Sequence, residues 1–161
     1  MINVYNNIYC GDESDANRVL RSDDWIILHC CKDPFHKQLA GYRGNLLPTH
    51  QNYAYIIKEN RMALNLVDMD TYSPNYLDFN YQMFSKAFQF LDKNSFEKKI
   101  LIHCNLGESR GPSLTLLYLK HIGFFKGLVF ENAKKEFVKM YPKFNPKKNI
   151  ITNVEILWGK F

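Results

Sequence analysis

Long hydrophobic runs are missing from this chain. Nowhere in its 161 residues do 18 or more apolar residues follow one another, which excludes a membrane-spanning helix and any membrane partner of that kind. The opening MINVYNNIYCGDESD has no charged segment leading into an apolar one, so no secretory signal is expected and the chain reads as soluble and cytoplasmic. Cysteine is scarce as well. The 4 cysteines include the adjacent pair Cys30 and Cys31, and without an export signal they read as thiols rather than bridges. No paired CxxC or HxxxH elements occur, so no metal site is expected. Arginine-rich arms and recognisable nucleic-acid modules are absent, which argues against nucleic acid as a partner. With no internal repeat and no low-complexity tract either, residues 1–161 read as one domain, long enough to bury a core unaided.

Aromatic residues, by contrast, are plentiful: 12 Phe, 10 Tyr and 2 Trp. Basic residues outnumber acidic ones 21 to 16, giving a net charge of +5 that would steer anionic ligands inward. Several of these cations cluster in AKKEFVKMYPKFNPKK, which reads as a solvated helix face followed by a loop.

Strand and helix patterns alternate along the chain. INVYNNIYCG reads as two short strands about an Asn6-Asn7 turn, and a short helix is expected near residues 14–20. WIILHC (25–30) and KKILIHC (98–104) are continuous apolar runs suited to buried strands. Between them, CKDPFHKQLAGYRGNLLPTH reads as a long irregular segment, followed by a strand at 61–68. Ser73 and Pro74 signal a helix start, and Leu77, Tyr81, Phe84, Phe88 and Leu91 then recur at helical spacing. SLTLLYLKHIG reads as a helix closed by Gly123, FENAKKEFVKMYP as one ended by Pro142, and the C-terminal residues as a last short helix. The expected fold class is therefore α/β: a central, mostly parallel twisted sheet with helices on both faces.

The chemistry concentrates in ILIHCNLGESRGPSLTLLYL, residues 100–119. Cys104 stands at the carboxyl end of a predicted central strand and before a helix N-terminus, where open α/β sheets bind ligands. Amides in such a turn converge on an anion, aided by the helix dipole, and Gly107 permits the turn a left-handed or close-approach conformation. The same field favours a thiolate over a thiol. Arg110, six positions on, offers a planar fork able to hold two oxygens of a phosphoryl group. A thiol and a guanidinium at this spacing suit nucleophilic attack on phosphorus.

HCNLGESRG (103–111) resembles the phosphate-binding signature of the protein tyrosine phosphatase superfamily, His-Cys, five residues, then Arg, with Gly third after Cys. The chain length and the late position of Cys104 are similar to its dual-specificity branch. The resemblance implies hydrolysis of phosphotyrosine, and of phosphoserine or phosphothreonine as well, through a cysteinyl-phosphate on Cys104 with no cofactor. It implies that Asn105, Leu106, Gly107, Glu108, Ser109 and Arg110 surround the phosphate or another oxyanion, with His103 orienting the loop. It also implies an aspartic general acid on a separate loop. LNLVDMDTYSP offers Asp68, the first choice, and Asp70, with Asp78 a weaker third.

One position departs from the pattern. Where the family has Ser or Thr after the arginine, to stabilise the departing thiolate in the second step, this chain has Gly111. Breakdown of the intermediate is expected to be slow. A catalytically weak phosphoprotein-binding domain of the same fold is one alternative, and a thiol-dependent arsenate reductase another. Acidic Glu108 and neutral Asn105 point to phosphorylated protein or peptide rather than to phosphoinositide. Phe35, His36, Tyr42 and Arg43 are expected at the substrate rim, and Cys30 or Cys31 near enough to Cys104 to resolve its oxidised form as a disulfide.

Overall fold

A computed structural model describes residues 1–94 and 97–161. The two continuous apolar runs become its central strands. β3 (Trp25–His29) and β6 (Lys99–His103) pair in parallel from Trp25 opposite Lys99 to His29 opposite His103. Both are buried on two faces, which is why neither alternates polar with apolar residues. β2 (Ile8–Gly11) adds in parallel to β6, and β5 (Arg61–Leu64) in parallel to β3.

Antiparallel strands close both edges. β1 (Ile2–Tyr5) folds onto β2 through Asn6, whose φ of 45° is the left-handed value the turn requires. β4 (Tyr55–Lys58) pairs with β5 across the Glu59-Asn60 turn, where Glu59 has φ 55°. The order is β1-β2-β6-β3-β5-β4, the mostly parallel sheet that the alternation of elements predicts.

Helices cover both faces. The larger core packs Ile26, Leu28, Ile100 and Ile102 against α3 (Leu77–Asn94), α4 (Arg110–His121), α5 (Phe130–Met140) and α6 (Lys148–Leu157). A smaller core joins Ile27 and Leu101 to Ala16 of α1 (Glu13–Val19), Cys31 and Phe35. α1 starts at a capping box in which the Asp12 carboxylate accepts from Asp15 N–H and the Asp15 carboxylate from Asp12 N–H. No helix among the described residues is long and apolar enough to cross a membrane.

Three expectations need correction. The segment after Cys31 is not wholly irregular, because a wide helical turn at 32–36 runs into α2 (Lys37–Ala40). The predicted 61–68 strand stops at Leu64, since its parallel partner β3 ends at His29 opposite Ala63. Ser73 caps nothing with its side chain; instead its N–H donates to Asn149 Oδ1, and Pro74 opens a single 3-10 turn ahead of α3. The last short helix expected at the C-terminus is α6, which begins at Lys148.

Candidate active site

The loop from Cys104 to Arg110 is shaped by bonds to its outward carbonyls. Asn105 O accepts from Glu13 N–H at 3.1 Å, Gly107 O from Tyr141 Oη–H at 2.8 Å, and Glu108 O from Asn145 N–H at 2.9 Å. In a trans peptide the following N–H points the opposite way, so the amides of Leu106, Glu108 and Ser109 turn inward. None of these three donates to a protein acceptor among the described residues. Gly107 has φ 70°, and a side chain there would also strike Gly11 O at 2.9 Å and Tyr141 Oη at 3.1 Å. The result is a ring of donors above Cys104, which is 2% exposed, with Leu106 on the open lip at 71%.

Arg110 spans the ring and the loop after β5. Its Nη1 donates to Leu66 O at 2.9 Å and its Nη2 to Asn105 Oδ1 at 2.7 Å. Nε is buried without a hydrogen-bond partner and lies 3.7 Å from Asp68 Oδ2. Asp68 Oδ1 accepts from Ser109 Oγ at 2.9 Å, and Ser109 Oγ in turn accepts from Lys147 N–H at 3.0 Å. Asp68 therefore meets the ring directly. Asp70 does not: its carboxylate is exposed and paired with Lys147 Nζ at 3.0 Å. Asp78 is exposed in the first turn of α3.

Beneath the ring lies a histidine pair. His103 Nδ1 is 3.3 Å from the Cys104 carbonyl oxygen, which makes Nδ1 the protonated nitrogen; its Nε2 must then accept from His29 Nδ1–H. Parallel pairing at the ends of β3 and β6 brings the two rings together, and Phe35 stacks on His29 at 4.4 Å. Burial holds both imidazoles neutral. It pulls His103 down to about 4 and His29 well below its ordinary value, the latter also opposed by His103 and Arg61. Phe35 and His36 are thus buried supports rather than rim residues, while Tyr42 is half-buried and Arg43 exposed.

All four cysteines are free and buried. The register puts Cys30 directly after the His29–His103 pair, and Cys30 N–H donates to His103 O at 2.8 Å. Desolvation pushes Cys31 up to about 12 and Cys30 well above its ordinary value, with the nearby Cys104 adding to both. Thiols held protonated in this way are slow to attack an oxidised neighbour.

Gly111 is where helix α4 touches β6. A Cβ placed there would lie 2.7 Å from His103 C, 2.8 Å from Cys104 N and 2.9 Å from His103 Cα. The family hydroxyl has no room in this chain.

Sequence reasoning missed the segment between α5 and α6. Tyr141, Asn145 and Lys147 bind the ring, and Asn149 N–H donates to Met69 O at 3.3 Å on the loop that carries Asp68. The backbone donors of Asn145 and Lys147 leave no signature in composition.

The fold has known counterparts. The chain superposes on a leucine-rich-repeat and phosphatase-domain protein from Entamoeba histolytica, at 14% identity over 99% of this chain and 90% of that one, with TM-score 0.65. DUSP15 matches at 16% over 98% and 86%, TM-score 0.65, and a human tyrosine phosphatase-like serine/threonine/tyrosine-interacting protein at 16% over 98% and 95%, TM-score 0.64. The fold is that of the dual-specificity phosphatases. Within that fold, the ring at Cys104 follows a central strand and opens α4. No protein-family model and no curated protein matches the sequence.

Proposed function

We propose that this protein is a cysteine-dependent phosphatase acting on phosphorylated protein or peptide. The observation that supports it best is the ring itself: three inward amides and the Nε of Arg110 surround Cys104 with donors that no acceptor among the described residues takes. A buried donor without a partner, as Nε of Arg110 is, costs about 1–3 kcal/mol, and phosphoryl oxygens would satisfy it together with the inward amides. Cys104 is the nucleophile. Arg110 holds the equatorial oxygens, exchanging its Asn105 contact for the substrate, while its bond to Leu66 O keeps the fork oriented. Asp68, tied to the ring through Ser109, is the general acid for the leaving oxygen, and Asp70 plays no chemical part. His103 positions the Cys104 peptide. No cofactor or metal takes part, because amides and guanidinium supply the positive field. Phosphotyrosine is the proposed substrate, with phosphoserine and phosphothreonine as further ones.

A second reading, capture of phosphorylated partners with little turnover, is favoured by one specific observation: the missing room for a hydroxyl at Gly111. Phosphate release from a phosphotyrosine peptide in EDTA, compared with the Cys104→Ser chain, separates the two. Activity that persists in EDTA and disappears with Cys104→Ser supports the enzyme. Micromolar peptide binding with no phosphate release supports capture, and chelator-sensitive release defeats both.

A further inference from the structure

Lys58 and Arg61 flank the Glu59-Asn60 turn and stand directly opposite one another in the β4–β5 pair. Like charges in that relation destabilise a sheet unless something between them is negative. Nothing among the described residues is. Neither residue forms an ion pair among the described residues, and Glu59, exposed in the turn, reaches neither. Arg61 Nε is buried without a hydrogen-bond partner.

Both cations open onto a cavity of about 140 Å³ on the smaller-core face of the sheet, lined also by Gln38, Leu39, Phe35 and His29, with no carboxylate in its wall. His29 is 1% exposed and lies between this cavity and the active-site ring, since its Nδ1 is bonded to His103 Nε2. A facing pair of cations, the exposed Lys58 and the half-buried Arg61, an orphaned guanidinium N–H and a cavity wall without carboxylates together suit an anion.

We propose that this cavity is a second oxyanion site, taking one phosphate group between Arg61, Lys58 and Gln38, and coupled through His29 and His103 to Cys104. The site stands independently of the phosphatase reading; only the consequence of its coupling for catalysis rests on that reading. An anion beside Arg61 offsets the positive field that Arg61 exerts on His29 and so makes His29 Nδ1–H a weaker donor to His103 Nε2. The loop carbonyl of Cys104 feels that change through His103 Nδ1–H.

The test uses the full chain carrying Arg110→Ala, which disables the ring as a phosphate site. Inorganic phosphate is titrated in while the imidazole nitrogen resonances of His29 and His103 are followed. Saturable shifts of both rings are expected. Adding Arg61→Gln should weaken the response by about ten-fold or more, the worth of one charged hydrogen bond, and Lys58→Gln should weaken it also, serving as the second variant if Arg61→Gln fails to fold. O-phosphoserine as a second probe identifies the source: equal affinity assigns the site to phosphomonoesters, and binding of inorganic phosphate alone assigns it to the free ion. Absence of saturable shifts, or shifts that neither substitution weakens, overturns the proposal. Failure of the phosphatase reading would be seen separately, as no phosphate release by the native chain, and would leave the histidine response intact.

Discussion

Gly111→Ser is the most informative single substitution, because two lines of reasoning give it opposite outcomes. By resemblance to the family, it restores the hydroxyl that assists breakdown of the cysteinyl-phosphate and should speed turnover. The packing says otherwise. The new Cβ would sit 2.7 Å from His103 C, roughly 0.8 Å inside normal carbon–carbon separation, and the obstructing atoms are backbone on a central strand that cannot yield. α4 would have to retreat, carrying Arg110 at its first turn away from Leu66 O and Asn105. Overpacking of this kind costs about 1–3 kcal/mol, only partly offset by the better helix propensity of a residue that is not glycine. In a chain of this length that corresponds to a fall of roughly 2–10 °C in Tm. The assays are thermal unfolding and stopped-flow product release. The native chain should show a burst, its second step being slow, and the variant should be less stable with no faster steady-state turnover. A variant as stable as the native chain that turns over rapidly without a burst would refute the packing argument outright.

Asp68→Asn should lower kcat on a phosphotyrosine peptide by about 10²–10⁴ while Asp70→Asn leaves it within a few-fold, and the reverse ranking would exchange their roles. Stability should fall with acidification between about pH 6.5 and pH 4. His103 and His29 have depressed values in the folded chain, so the unfolded chain binds more protons in that window, and stability rises with pH across it; His103 alone contributes about 3 kcal/mol. Denaturant titrations at pH 4.5, 5.5 and 7 measure this, and a flat profile would contradict the neutral pair. Tyr141→Phe removes the 2.8 Å bond to Gly107 O and should cost about 1 kcal/mol while weakening phosphate binding; unchanged affinity would show that the strap shapes nothing.

What the sequence revealed follows from where the chain is apolar and periodic. WIILH, KILIH and the helix from Leu77 are patterned by burial, and burial is what the sheet and α3 then supply. β4 escaped notice for the opposite reason. YIIK is an edge strand of which Ile57 is 49% exposed, specified by backbone pairing with β5 and not by a buried face. Cys104, Gly107 and Arg110 could be identified because their chemistry is in side chains or in a forced backbone angle. The donors from Glu13 and Asn145 that turn the ring's carbonyls outward, and the Lys147 N–H that holds the Ser109 hydroxyl, are main-chain groups, equally present in every residue, and so carry no sequence signal. The His29–His103 pair needed the β3–β6 register before two distant histidines could be recognised as one unit.

Gly111 shows how the same residue carries two meanings at the two levels. In sequence it registers as a deletion, a hydroxyl absent from a chemical motif. In three dimensions it is the contact that lets α4 approach the strand before Cys104 more closely than a Cβ at that position would permit, and α4 begins with Arg110. Loss of the hydroxyl and gain of the close approach are then one feature: a chain that keeps the helix this near cannot also keep the side chain. Catalytic weakness in the second step would follow from the packing that makes the first step's anion site rigid, so tightening of phosphate capture and slowing of release should appear together in any kinetic comparison with a chain whose helix stands farther off.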